Sequence, residues 1–142
     1  MEKRLSFAPS SAVLRKLRAD VRKVAIGLGA DARIGDQLAL VVDELVNNAI
    51  EHGAGYRQRG LDLAVRIATC PDGLQIEFFD QEMPELAVVE LGKALSAAAN
   101  GMPSLENERG RGLFLLSVYL QEVRAGVAAE GGLCLAGRIP LQ

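Results

Sequence analysis

The stretch from Leu61 to Asp80, "LDLAVRIATCPDGLQIEFFD", restricts the fold more than any other part of the chain. Leu61, Leu63, Val65 and Ile67 alternate with more polar neighbours, "PDG" supplies a turn, and Leu74, Ile76 and Phe78 alternate beyond it. A period of two places every second side chain on one face of a strand, so the stretch predicts an antiparallel hairpin with one apolar face. A second hairpin closes the chain: "EVRAGVA", an "EGG" turn, then "LCLAGRIP" with Leu133, Leu135 and Ile139 in alternation. A doubly wound parallel sheet needs strands separated by crossover helices, which this arrangement does not provide.

The remaining segments predict helices for one side of that sheet. Residues 4–8 form a short strand with Leu5 and Phe7 on one face. Ser10 or Ser11 is the N-cap of a helix carrying Leu14, Leu17, Val21, Val24 and Leu28, and Gly27 and Gly29 suit its end. Asp31 caps a second helix that exits through Gly53-Ala54-Gly55. Residues 83–108 are the least regular. "LAVVELGKALSAAAN" is mildly helical, but Gly92, Gly101 and Pro103 interrupt it, which suits a lid-like segment or an ordinary surface helix and loop. "RGRGLFLLSVYLQEV" opens on glycines and continues as a strongly apolar helix. The expected architecture is a two-layer α/β sandwich, with a mixed, mainly antiparallel sheet and helices on one face.

Composition narrows the function. The 142 residues suit a single domain, 1–142, able to bury a core, and 49% hydrophobic with 24% charged residues is ordinary for a globular protein. A net charge of −2 without clustered Lys and Arg argues against a direct nucleic-acid partner. No apolar run approaches the ~20 residues of a membrane span, and the start lacks the apolar stretch of a secretion signal, so a cytoplasmic location is expected. Cys70 and Cys134 lie far apart without a CxxC, and are expected to be reduced core residues rather than metal ligands.

The second helix contains "VVDELVNNAIEHGAG", in which Glu44, Asn48 and His52 recur every four residues. Its apolar face is Ile34, Leu38, Val41, Val42, Leu45 and Ala49. At about 100° per residue, Glu44 falls roughly 110° from the centre of that face, Asn48 roughly 70° and His52 roughly 30°. The row therefore starts at the rim of the buried face and drifts into it, with His52 on the buried side. A buried carboxylate or amide without partners costs several kcal/mol, so the row needs either a ligand or neighbouring backbone to satisfy it. His52, a lone histidine there, is expected to be structural. Asp80 continues the inward parity of its strand, unless the strand has ended and Asp80 turns to solvent.

Three elements stand together: Glu44, Asn48 and His52 on one helix, Asp80 ending a strand, and Gly110-x-Gly112-Leu113 at another helix. Their order and spacing resemble the GHKL (histidine-kinase-like) ATPase superfamily, with its N box and two glycine boxes. The resemblance covers nearly the whole chain and is closest to the stand-alone anti-sigma-factor serine-protein kinases of bacteria. It implies that ATP and Mg²⁺ are cofactors, that Glu44 is the base for an attacking hydroxyl, and that Asn48 holds Mg²⁺. It further implies that Asp80 accepts from the adenine amino group, and that Gly110, Gly112 and Leu113 line the phosphates at a helix N-terminus. Arg109 or Arg111 would add positive charge there, unless both are simply solvated. The implied partners are an anti-anti-sigma protein with a phosphorylatable serine and a sigma factor, and the implied assembly is a homodimer.

One position departs from the pattern. Glu82 stands where the first glycine box has glycine, bringing a side chain and a negative charge toward an anionic ligand if it points inward. That departure supports an alternative: a module of the same fold, impaired in nucleotide binding, that works through protein contacts alone. The ATP-binding half of a sensor histidine kinase is disfavoured, because the only histidine is on the N-box helix.

Overall fold

The computed structural model describes residues 1–101, 104 and 106–141. In chain order the elements are β1 (Glu2–Phe7), α1 (Leu14–Gly27) preceded by a 3-10 turn, α2 (Ala32–Gly53), β2 (Leu63–Cys70), β3 (Gly73–Asp80), α3 (Glu85–Ala99), α4 (Glu108–Tyr119), β4 (Gln121–Val127) and β5 (Leu133–Pro140). The sheet order is β1-β2-β3-β5-β4, and all four pairings are antiparallel. This is the α/β sandwich that the two hairpins imply.

Register explains the core. Val65 lies opposite Phe78 and Ile67 opposite Ile76. Phe78 and Leu74 in turn face Leu135 and Ile139 across β5. These inward side chains are buried together with Leu17 and Val21 of α1 and with Leu38, Val41, Val42 and Leu45 of α2. The other face of the sheet is polar: Arg66 donates to both Glu77 and Glu2, and Arg4 stacks over Phe79.

Helix boundaries follow local chemistry. Gly29 adopts φ 112, a left-handed conformation that stops the chain after α1. Asp31 accepts from the Ile34 N–H at 2.9 Å and caps α2 as expected. The segment 83–108 contains α3, which sets Val88, Leu91, Leu95 and Ala98 into the core. Pro103, one of its expected breakers, lies outside the described residues. Two boundaries differ from the sequence reading. β1 begins at Glu2, pairing from Glu2↔Ala68 onward. α4 begins at Glu108, with the glycines inside its first turns, because Asn107 rather than a glycine loop caps it.

Candidate functional site

Glu44 is half-buried in the middle of α2, where that helix packs against α4. A Cβ built on Gly112 of α4 would stand 2.7 Å from the Glu44 carboxylate, so glycine is what lets Glu44 keep this rotamer against α4. Burial, and then the negative charges of Asp43 and Glu51, raise the Glu44 pKa above its ordinary value. A carboxylate with raised proton affinity suits a general base. Glu44 opens onto a surface groove of about 550 Å³ that it shares with Glu108, Arg111, Phe114 and Val118.

Asn48, one turn on, is also half-buried and faces the interior. With Ala49, Met83, Leu91 and Leu113 it lines a void of only about 10 Å³. Such a space holds about one water and no purine. Leu113 is 3% exposed and belongs to the core. Gly110 is buried, and its N–H already donates to Asn107 Oδ1 at 2.8 Å. Arg109 is half-buried in the first turn of α4, beside a cavity of about 450 Å³ between the end of α3 and the start of α4. Among the described residues, the buried Arg109 Nε has no hydrogen-bond partner. A cationic side chain with an unsatisfied buried donor at a helix N-terminus is suited to an anion. Arg111 is exposed.

Asp80 is fully buried, as its strand parity requires. Its carboxylate is occupied. Arg57 donates to Oδ2 at 2.7 Å and to Oδ1 at 3.1 Å, the Tyr56 hydroxyl donates to Oδ2 at 2.8 Å, and the Glu82 N–H donates to Oδ1 at 3.2 Å. Burial, then the bond to Asp80, pushes the Tyr56 hydroxyl well above its ordinary pKa, and the Asp80 bond holds Arg57 more firmly protonated. Gly53, in the last turn of α2, makes room for this pairing: a Cβ there would lie 2.6 Å from Arg57 Nη2.

Glu82 points neither into a nucleotide cavity nor into solvent. Its carboxylate accepts from the backbone N–H groups of Gln58, Arg59 and Leu61 at 3.1, 2.7 and 3.0 Å, and its side chain is only 6% exposed. The Arg59 N–H, the other loop amides and the Arg57 charge hold its pKa below the ordinary carboxylate value. The residues missed by the sequence reading are therefore Tyr56 and Arg57. The signal for them was the general requirement that an inward Asp80 have a partner.

His52 is a correction. It is exposed, not on the buried side. At the end of α2 burial follows Gly53, against which Tyr56 and Arg57 pack, so a face extrapolated from the middle of the helix fails there. What desolvation His52 does experience, together with the charge of Arg109, lowers its pKa.

The structure thus joins Glu44 with Gly112, and Asn48 with Leu113, and sets Arg109 at the α4 N-terminus. It does not present Asp80 to an open cavity. As arranged, the residues around Asn48 and Asp80 do not fit adenine: the space is too small and the carboxylate is saturated.

Among the described residues, no helix is long and apolar enough to cross a membrane. No curated protein matches the sequence. One chain of the crystal structure of the SiaB-SiaC complex from Pseudomonas aeruginosa is similar in fold, with a TM-score of 0.71 and 18% identity, over 95% of this chain and 88% of that chain. A family model described as a histidine kinase-like ATPase domain matches residues 7–136. With nearly its whole length matched, and with the two-layer sandwich that the model implies, this chain belongs to the family of histidine kinase-like ATPase domains.

Proposed function

We propose that this chain is a regulatory serine-protein kinase of the anti-sigma-factor type, using Mg-ATP and acting on an anti-anti-sigma partner while also sequestering a sigma factor. The observation that carries this reading is the half-buried Glu44 held against Gly112, with its proton affinity raised. Glu44 accepts the proton of the partner's serine hydroxyl, Asn48 is the residue for Mg²⁺, and Arg109 with Arg111 and the start of α4 supplies positive potential for phosphates. A partner protein also accords with the fold likeness to a protein solved as the SiaB-SiaC complex. The protein acts as a homodimer in the cytoplasm on this reading. Its test is transfer of radiolabelled phosphate from ATP to a candidate partner, with Glu44→Ala as the control. Wild type should label the partner on serine, and the variant should lose at least ~100-fold, the scale of a general base. Undiminished transfer by the variant would remove Glu44 from its role.

A second reading, a partner-binding module without nucleotide turnover, is favoured by the saturated Asp80 and the void of about 10 Å³. Partner binding with no nucleotide binding at millimolar ATP would decide for it.

A further inference from the structure

The groove of about 550 Å³ beside Glu44 is lined by an apolar stripe that a proton acceptor alone does not require. Phe114, Leu115 and Val118 of α4 form it together with Gly112, and Glu108 and Arg111 join them from the first turn of the same helix. We propose that this groove receives an extended segment of the partner, with a serine hydroxyl against the Glu44 carboxylate and an apolar side chain, two residues from that serine, over Phe114 and Val118. This docking rests on the part of the proposed function in which a partner's serine meets Glu44, and it does not depend on nucleotide turnover.

The chemistry of the occupant follows from what the groove leaves unsatisfied. Among the described residues, the half-buried Glu44 carboxylate has no hydrogen-bond donor and no ion-pair partner, whereas Asp80 is reached by four donor bonds. Its desolvation is therefore uncompensated, which is why burial leads the causes that raise its proton affinity. A hydroxyl supplies the missing donor without carrying a formal charge into the groove. Next to it Phe114 and Leu115 are half-buried and Val118 is 57% exposed, so this side of α4 presents apolar surface to solvent. Leu40, one turn before Glu44 on α2, is exposed as well. Glu108 and Arg111 bring one charge of each sign, so the groove selects neither a strongly cationic nor a strongly anionic segment.

Spacing sets where the apolar side chain stands. Gly112, which meets the Glu44 carboxylate, and Val118 are separated by six positions of α4, about 9 Å along the helix axis. An extended segment advances about 3.3 Å per residue and turns every second side chain to the same side. A serine held at Glu44 therefore directs the side chain two residues away, about 6.6 Å on, to the interval between Phe114 and Val118. The residue between them faces away from α4 and is left without selection. Leucine at the selected position covers surface that Val118 now exposes to water, and a polar residue there gains nothing from it.

Fluorescence anisotropy with labelled, uncharged octapeptides tests the docking, without nucleotide and with thermal melts to establish folding. The peptides are alike except at a central serine and at the positions two before and two after it. Leucine at one of those two positions should bind wild type at least ~10-fold tighter than serine there, about 1.4 kcal/mol. Alanine in place of the central serine should weaken binding at least ~5-fold, the scale of a hydrogen bond to a charged group. Val118→Asp should reduce the leucine advantage to within ~2-fold, while Leu86→Asp, at an exposed apolar position of α3 outside the groove, should retain it. Should Val118→Asp fail to fold, Val118→Thr, which keeps the side chain's shape, decides. No leucine advantage in wild type, an advantage that survives in the folded Val118 variant, equal affinity for the serine and alanine peptides, or no binding of any peptide would each overturn the docking. None of these results touches the kinase reading, which stands or falls separately on phosphate transfer to the partner.

Discussion

The carboxylate of Glu44 on α2 occupies the space that a side chain on Gly112 of α4 would claim, 2.7 Å from its Cβ position. The neighbour is the far end of a flexible side chain, so Gly112→Ala is accommodated by rotating Glu44 rather than by parting the helices. Alanine inside a helix also gains about 0.5–1 kcal/mol over glycine, which offsets much of the strain. The expected result is a folding stability within about 1 kcal/mol of wild type, measured by urea denaturation, alongside at least ~10-fold slower phosphate transfer. Loss of both together would mean that the glycine serves packing alone.

Glu44 should also mark itself in the pH dependence of stability. Its folded pKa lies above the ordinary 4.5, so the folded state favours the protonated form. The stability linked to this carboxyl is therefore full in acid and is lost as pH rises through the folded pKa. Glu44→Gln, neutral at every pH, escapes that loss. The variant should melt higher than wild type at pH 7, and the difference should close as the pH falls below about 4.5. A melting difference that stays constant from pH 4 to 8 would contradict the desolvation of Glu44.

Glu82 makes a prediction about the loop after α2. Its carboxylate is the acceptor for the amides of Gln58, Arg59 and Leu61. Glu82→Ala should leave these three without that acceptor and raise their hydrogen-exchange rates at least ~10-fold, while the amides of β2 and β3 keep their protection. In wild type the depressed pKa of Glu82 makes its contribution present above 4.5 and lost as pH falls through the folded value, so the same amides should lose protection in acid. Unchanged exchange in the variant would show that the loop is ordered by something else.

The fold was legible in the sequence because its strongest signals are local. Leu63, Val65 and Ile67 against Leu74, Ile76 and Phe78 follow a period of two, and the same period carried Asp80 inward. Asp31 announced the start of α2 three residues before the amide it caps. The first glycine box behaved differently. Arg57 sits in "GAGYRQRG", where no periodicity assigns a face, and its partner Asp80 is 23 residues away. Whether Glu82 faced ligand or solvent depended on where the amides of Gln58, Arg59 and Leu61 would lie, which only the packed loop determines. His52 failed for a related reason: the 100° rule describes a helix, not the extent of what covers it. Asn107, three residues before Gly110, did carry a readable cap signal for α4.

Met83 tests whether the interior beside Asn48 is closed in solution. Its side chain is 6% exposed and walls the void of about 10 Å³ together with Asn48, Leu91 and Leu113. Met83→Ala removes three heavy atoms from that wall, losing both the transfer free energy of the side chain and its contacts across the void. The cost should be about 2–5 kcal/mol by urea denaturation, with an unchanged slope against denaturant because the surface exposed on unfolding is nearly the same. The cost should lie toward the lower end of that range if water enters and bonds the Asn48 carboxamide, since a polar wall can hold a solvent molecule that an apolar one cannot. In a state with this interior open, Met83 would already be in water and its truncation would change stability by no more than ~0.5 kcal/mol, as at an ordinary surface position. A result that small would show that solution favours an open interior beside Asn48. A cost of several kcal/mol would place the resting protein in the closed arrangement, in which the interior beside Asn48 has no room for a base.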